Sequence, residues 1–188
     1  ERVDALFPVS DLLYLIKEQI DLTITAGQLK TLFGKPLTEI AALVFPKYPE
    51  NEQLRLIDGC CEAEHALLHI TGAPLYEDLE KALQILSAQY PLYIVSNSQC
   101  GYIELFLEKT GFAKYFQGHL CNGDTGLDKG SNIRQIADQN GLKDPVYVGD
   151  TMGDFEACRK AGVPFVLAEY GFGEVPEPDM RISKPMDL

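Results

Sequence analysis

The apolar residues of this chain follow a helical spacing from residue 1 to about residue 72. One apolar stripe runs from Leu12 to Ile20, and a longer one runs from Glu50 to Ile70 before Thr71-Gly72. Pro46 and Gly34-Lys35-Pro36 separate shorter helical segments between them. Because no alternating strand pattern interrupts this region, we predict a small helical bundle over residues 1–72.

From about residue 75 onwards, short apolar runs alternate with helical patterns. The predicted strands cover about residues 92–95, 118–121, 146–148, 164–168 and 180–183. The predicted helices cover about residues 76–88, 101–110, 129–140 and the segment after 154. This alternation is typical of a parallel sheet with helices on both faces. We therefore predict an α/β fold, with a Rossmann-like core over 73–188 and the helical bundle as its cap.

Composition limits the partners of this 188-residue chain. Its net charge of −12 disfavours binding to nucleic acid and to anionic membranes. It contains no apolar run of about 18 residues and no signal peptide, so we expect no membrane segment. The five cysteines show no Cys-x-x-Cys spacing, which favours reduced thiols and a cytoplasmic location.

The stretch from Val146 to Cys158 carries the clearest chemical signal. Asp150 follows a short apolar strand, and Asp154 falls on the first turn of the next helix. Ligands bind at this edge of an open α/β sheet. Two carboxylates held there repel each other unless a cation lies between them, and Mg²⁺ prefers oxygen ligands. The alternative is that one aspartate is a turn residue and the other a solvated helix start.

Two further loops leave the same predicted edge. Ser96-Asn97-Ser98 follows the strand 92–95, and a serine hydroxyl with backbone N–H groups there can bind a phosphate oxygen. Lys129 begins a predicted helix after the loop 124–130 and offers a positive charge for phosphate. Taken singly, Ser96 could be only a helix cap and Lys129 only an exposed surface lysine.

Together, the segments VSNS, Lys129 and GDTMGD resemble the second, third and fourth motifs of the haloacid dehalogenase superfamily. The resemblance implies a helical cap inserted into the core, as in phosphoglycolate phosphatases and β-phosphoglucomutases. It implies that Ser96, Asn97 and Lys129 bind phosphate and that Asp150 and Asp154 hold Mg²⁺. Asp154 would also act in catalysis by orienting Lys129 or a water at the metal. The segment YGFG at 170–173 is similar to an aromatic-glycine loop of that subgroup.

The first motif of that superfamily, DxDGT on the first strand, is absent from this sequence. It would carry the nucleophilic aspartate and the acid/base aspartate. Glu1-Arg2 resembles the segment just after that motif, so we expect the motif upstream and expect this chain alone to be inactive. The missing central strand would then be disordered upstream, supplied by another chain, or replaced by direct pairing of 92–95 with 146–148.

The resemblance implies a Mg²⁺-dependent phosphomonoester hydrolase that acts on a small phosphorylated metabolite through an aspartyl-phosphate. Two alternatives stay open, a phosphosugar mutase of the same fold and a binding module that has lost its nucleophile. His65 and His69 have a metal-compatible spacing on one predicted helix, but no third ligand lies nearby in the sequence, which favours a surface or packing role. The sequence does not determine the oligomeric state.

Overall fold

A computed structural model describes residues 27–28, 31–72 and 74–188. The predicted helix at 12–20 and most of the next one lie outside the described residues. In the cap region, α1 is Leu37–Val44 and α2 is Glu50–Thr71. Pro36 and Pro49 precede these helices, which suits a residue that lacks an N–H group and has a fixed φ. Gly72 ends α2 with a φ of 66°, a backbone conformation that favours glycine.

The two cap helices pack on each other through one apolar cluster. Its buried members are Leu32, Ala41, Val44, Phe45 and Ile57. Ala41 and Val44 lie three residues apart on α1 and Ile57 lies on α2, while Leu32 and Phe45 join the cluster from the segments that flank α1. The helix predicted from Glu50 to Ile70 is confirmed as α2, with an end that differs by one residue.

The rest of the described chain alternates strands and helices in the predicted order. The elements are α3 (Leu79–Ser87), β1 (Leu92–Ser96), α4 (Tyr102–Thr110), β2 (Phe116–Cys121), α5 (Asn122–Thr125), α6 (Lys129–Gln139), β3 (Tyr147–Gly149), α7 (Met152–Ala161), β4 (Phe165–Ala168) and β5 (Met180–Ile182). Helix α3 begins three residues later than predicted, because Asp78 before it has a left-handed φ of 58°. This architecture confirms the α/β fold class with a Rossmann-like core and a helical cap region.

The strands form two separate parallel sheets within the described part of the chain. One pairs β1 with β2, and the other has the order β3-β4-β5. Strand β4 lies in the middle of its sheet, and all four of its residues are buried. In contrast, Val148 of β3 is 38% exposed, which is unusual for a valine in a strand of an α/β core.

Strands β1 and β3 share no ladder among the described residues, so of the three alternatives for the missing central strand the direct pairing of 92–95 with 146–148 is wrong. Instead, the Tyr147 hydroxyl donates a hydrogen bond of 2.9 Å to the carbonyl oxygen of Val95. The Tyr147 side chain therefore bridges the two strands and donates to a carbonyl oxygen that would otherwise accept from the N–H group of a neighbouring strand. Strands β1 and β3 are thus joined by a side chain and not by a backbone ladder.

Candidate active site

Four side chains that the sequence singled out line one cavity of about 460 Å³. They are Ser96, Lys129, Asp150 and Asp154. They come from three loops at the carboxyl ends of β1, β2 and β3, which a parallel sheet places at one edge. Asn97 lines an adjoining cavity of about 750 Å³ together with Lys129. The structure therefore brings all five predicted residues to one region.

A buried ion pair joins two of these loops. Lys129 and Asp154 are 9% and 3% exposed, and Lys129 Nζ lies 2.5 Å from Asp154 Oδ1. Burial acts to raise the pKa of Asp154, but the charge of Lys129 and hydrogen bonds from Lys129 and Thr151 outweigh it. The pKa therefore lies below its usual range, and the carboxylate stays ionised.

The start of each neighbouring helix fixes this ion pair in place. Asp128 caps α6 by accepting a hydrogen bond of 3.1 Å from the Ser131 N–H, so Lys129 begins the helix. In α7, the Thr151 hydroxyl accepts from the Asp154 N–H, and Asp154 Oδ2 accepts from the Thr151 N–H. This reciprocal capping box holds Asp154 on the third position of the helix, where its other oxygen meets Lys129.

Asp150 is held by the loop that follows β4. Its Oδ2 accepts a hydrogen bond of 2.9 Å from the Phe172 N–H. A Cβ built on Gly171 would lie 2.2 Å from the Asp150 Cβ, so only glycine permits this contact. Burial raises the pKa of Asp150, and the nearby charge of Asp154 raises it further, while the Phe172 N–H and the charge of Lys129 lower it.

The loop after β1 presents polar groups without described partners. Ser96 Oγ accepts a hydrogen bond of 3.1 Å from the Ser98 N–H, which leaves its hydroxyl proton able to reach another acceptor. Asn97 Nδ2 donates across 2.7 Å to the carbonyl oxygen of Gly34 in the cap region. In the described structure, Asn97 Oδ1 and Ser98 Oγ are buried and have no hydrogen-bond partner. Such groups are costly in a closed core and are typical of a site for a polar ligand.

Two pairs of aromatic side chains line the cavity. The rings of Phe33 and Phe172 lie 4.9 Å apart and join the cap region to the core. Tyr76 and Tyr170 are 4.7 Å apart, and the Tyr76 hydroxyl donates to the carbonyl oxygen of Tyr170. Our sequence analysis missed Phe33 and Tyr76 as lining residues. The YGFG segment at 170–173 pointed only to their ring partners in the core, Tyr170 and Phe172.

The donor set of the cavity fits a hard divalent cation. Asp150 and Asp154 offer carboxylate oxygens, and no cysteine or described histidine lines the cavity. Asp150 Oδ2 accepts from the Phe172 N–H, and no other described residue donates a hydrogen bond to the Asp150 carboxylate. Both oxygens of Asp154 accept hydrogen bonds, from Lys129 and from the Thr151 loop. Asp150 is therefore the more accessible of the two carboxylates.

Comparison with known proteins identifies the family. The model of the haloacid dehalogenase-like hydrolases matches residues 9–168, so the chain belongs to that family. A phosphoglycolate phosphatase of Escherichia coli strain K12 is 26% identical over 174 residues, with 87% of this chain covered. The chain spans 66% of the length of that relative, slightly less than two thirds.

Solved structures share the fold. A haloacid dehalogenase-like family hydrolase from Streptococcus pneumoniae matches with a TM-score of 0.82 at 19% identity, covering 95% of this chain and 87% of that one. A protein from Haemophilus somnus, described as a predicted phosphoglycolate phosphatase, matches with a TM-score of 0.78 at 20% identity, covering 95% of this chain and 89% of that one.

None of the described helices is long and apolar enough to cross a membrane.

Proposed function

We propose that this protein is a Mg²⁺-dependent phosphomonoester hydrolase that acts on a small phosphorylated metabolite. The observation that carries the proposal is the convergence of Ser96, Lys129, Asp150 and Asp154 on one cavity. This set combines a hydroxyl, an ammonium and two carboxylates. A phosphoryl group needs such a combination, because its charge must be balanced while a cation aligns its oxygens.

Lys129 and Ser96 bind the phosphoryl oxygens in this proposal. The Lys129 ammonium is buried, and its ion pair with Asp154 fixes its position before substrate arrives. Preorganised donors of this kind stabilise charge in the transition state at little cost of reorganisation. The Ser96 hydroxyl and the N–H groups of the loop after β1 supply further hydrogen bonds, and Asn97 contributes a polar side chain to the same phosphate site.

Asp150 and Asp154 would hold the Mg²⁺ ion, with Asp150 as the direct ligand through its accessible oxygen. The ion, when bound, neutralises phosphate charge and aligns the group for displacement. Asp154 acts mainly as a positioning residue, because its oxygens hold Lys129 and the N-terminus of α7. The raised pKa of Asp150 fits a carboxylate that is stabilised in its ionised form once a cation is present.

The nucleophile would come from a strand between β1 and β3. These strands share no ladder, and the only aspartates among the described residues that line the cavity are Asp150 and Asp154. The family resemblance supports an aspartate there, whose oxygen attacks phosphorus as the ester P–O bond breaks. A second aspartate protonates the leaving oxygen and then deprotonates the water that hydrolyses the aspartyl-phosphate.

The cap region would close the site against bulk water. Its loop at Phe33 and Gly34 already contacts the core through Phe172 and Asn97. Exclusion of water strengthens the electrostatic contacts of the phosphoryl group and limits side reactions. The similarity to phosphoglycolate phosphatases makes small phosphorylated acids the first candidates for the substrate.

The test is release of inorganic phosphate with Mg²⁺ across a panel of phosphorylated metabolites. The protein is assayed in parallel with its Asp150→Asn variant, which is the control for the metal site. We expect Mg²⁺-dependent phosphate release from the protein and little or none from the variant. Isomerisation of a sugar phosphate without phosphate release would indicate the mutase, and binding without any turnover by the protein would indicate a binding module.

A further inference from the structure

The YGFG segment at 170–173 holds Asp150 by its side chain and by its backbone. The Phe172 N–H donates to Asp150 Oδ2 across 2.9 Å, and the Gly173 N–H donates to the Asp150 carbonyl oxygen across 2.9 Å. No other described residue donates a hydrogen bond to this carboxylate. The direction of the Asp150 side chain therefore depends on where the YGFG segment lies.

Two glycines allow the YGFG segment to lie this close to Asp150. A Cβ on Gly171 would lie 2.2 Å from the Asp150 Cβ, and a Cβ on Gly173 would lie 2.5 Å from the Asp150 carbonyl oxygen. A larger residue at either position would push the segment away. Since hydrogen bonds weaken as their distance and angle depart from the ideal, a displaced segment would release the carboxylate.

Tyr76 holds the first residue of the YGFG segment from the linker between α2 and α3. Its hydroxyl donates to the carbonyl oxygen of Tyr170 across 3.1 Å, and the two rings lie 4.7 Å apart in an edge-to-face arrangement. Such ring pairs contribute stability beyond the area that they bury. The two residues are 94 positions apart in the sequence, so this contact is a property of the tertiary structure.

Phe33 holds the third residue of the YGFG segment from the cap region. The rings of Phe33 and Phe172 lie 4.9 Å apart, and Phe172 is also the residue whose N–H donates to Asp150. The neighbour of Phe33, Gly34, is itself held by the core, because its carbonyl oxygen accepts from Asn97 Nδ2 across 2.7 Å. One residue of the segment thus contacts both the cap region and the carboxylate.

We propose that Tyr76 and Phe33 are positioning residues for Asp150 and act on it through the YGFG segment. The inference rests on the proposed function, in which Asp150 is the direct ligand of Mg²⁺. Neither aromatic side chain is a ligand in this proposal, since each holds the backbone that orients the ligand. Mg²⁺ requires near-ideal octahedral geometry, so a small rotation of one carboxylate lowers its affinity. Residues that orient a metal ligand therefore change metal affinity without contacting the ion.

The first measurement is amide hydrogen exchange of Phe172 and Gly173 in the metal-free protein. Tyr76→Phe removes one hydroxyl group, and Phe33→Ala removes one ring. Each change should speed the exchange of both amides at least about threefold, because the segment loses one contact and opens more often. This measurement needs neither Mg²⁺ nor turnover.

The second measurement is calorimetric titration of the same variants with Mg²⁺. The affinity should fall at least about threefold in Tyr76→Phe and in Phe33→Ala. Phe33→Tyr keeps the ring against Phe172 and should restore most of the affinity. A role in the fold alone predicts a lower melting temperature with unchanged Mg²⁺ affinity, so thermal unfolding of each variant is recorded alongside.

Tyr90→Phe and Leu43→Ala are the matched controls for the two changes. Both side chains are exposed, and neither lines the cavity. Both control variants should keep the wild-type amide exchange and the wild-type Mg²⁺ affinity.

Unchanged Mg²⁺ affinity in Tyr76→Phe and Phe33→Ala would overturn the inference whether or not the amides exchange faster, because the contacts would then serve only the fold. The proposed function would survive that result. If Asp150→Asn bound Mg²⁺ as tightly as the wild type, the proposed function would lose its metal ligand, and the inference would be wrong as well.

Discussion

Lys129 and Asp154 form a buried ion pair at 2.5 Å that joins the loop after β2 to the helix after β3. Each partner is nine-tenths or more buried, so neither charge is satisfied by water. Breaking such a pair by removing one partner leaves an uncompensated charge and costs about 3–5 kcal/mol. The contact therefore links the stability of the core to the proposed phosphate site.

Lys129→Ala should lower both phosphate affinity and the free energy of unfolding, since it leaves Asp154 buried without its cation. The double variant Lys129→Ala/Asp154→Asn should recover part of the stability but none of the phosphate affinity. Urea unfolding and phosphate inhibition measure the two effects. Equal stability of Lys129→Ala and the wild type would contradict the importance of this ion pair.

Asp150→Asn should weaken Mg²⁺ binding and turnover by the protein, with little loss of stability. The amide keeps the shape of the side chain and the hydrogen bond from the Phe172 N–H, but it removes the negative charge. Isothermal titration with Mg²⁺ and a phosphate-release assay test this together. Wild-type turnover in the variant would show that Asp150 is not the metal ligand.

Gly171→Ala should displace Asp150, because the new Cβ would meet the Asp150 Cβ at 2.2 Å. Overpacking of this kind typically costs about 1–3 kcal/mol, and we expect Mg²⁺ affinity to fall as well. Gly153→Ala is the matched control, since the nearest atom to its new Cβ would be Thr151 Oγ1 at 3.7 Å. Thermal unfolding and Mg²⁺ titration compare the stability and the Mg²⁺ affinity of the two variants. Equal values for both variants would contradict the prediction.

The stabilising contribution of Asp128 should be lost in acid. Hydrogen bonds from Lys160 and Ser131 lower its pKa in the folded chain, so the unfolded chain binds the proton more tightly. Its contribution is complete above the unfolded pKa of about 3.9 and is lost as the pH falls through the folded pKa. Asp128→Asn keeps a helix cap, so it should unfold with a weaker pH dependence below about pH 4. Ser87→Ala, far from this cap, should keep the wild-type dependence.

Local patterns predicted most of the described elements. Apolar spacing gave α2 and α6 nearly to the residue, and the spacing of Asp150 and Asp154 placed them on a loop and on the first helical turn. These features depend on neighbours within a few residues, which is the range over which periodicity and capping act. The boundary between cap and core near residue 73 stays a prediction.

Local sequence patterns did not predict the contacts between distant segments. The contact of Gly171 with Asp150 and the aromatic pair of Phe33 and Phe172 join residues that are far apart in the sequence. The sequence also allowed β1 and β3 to pair directly, and only the structure shows the Tyr147 side chain between them.

The sequence by itself determined the order of helices and strands, the excess of acidic residues, and which side chains end up on loops at one edge of the sheet. Those properties follow from local spacing and from the rule that parallel strands end at the same edge. The tertiary structure decided which of these side chains touch, because burial and exact packing select one partner among many. The packing pairs Asp154 with Lys129 in a buried ion pair. It gives the Asp150 carboxylate a single hydrogen bond from another described residue, the Phe172 N–H.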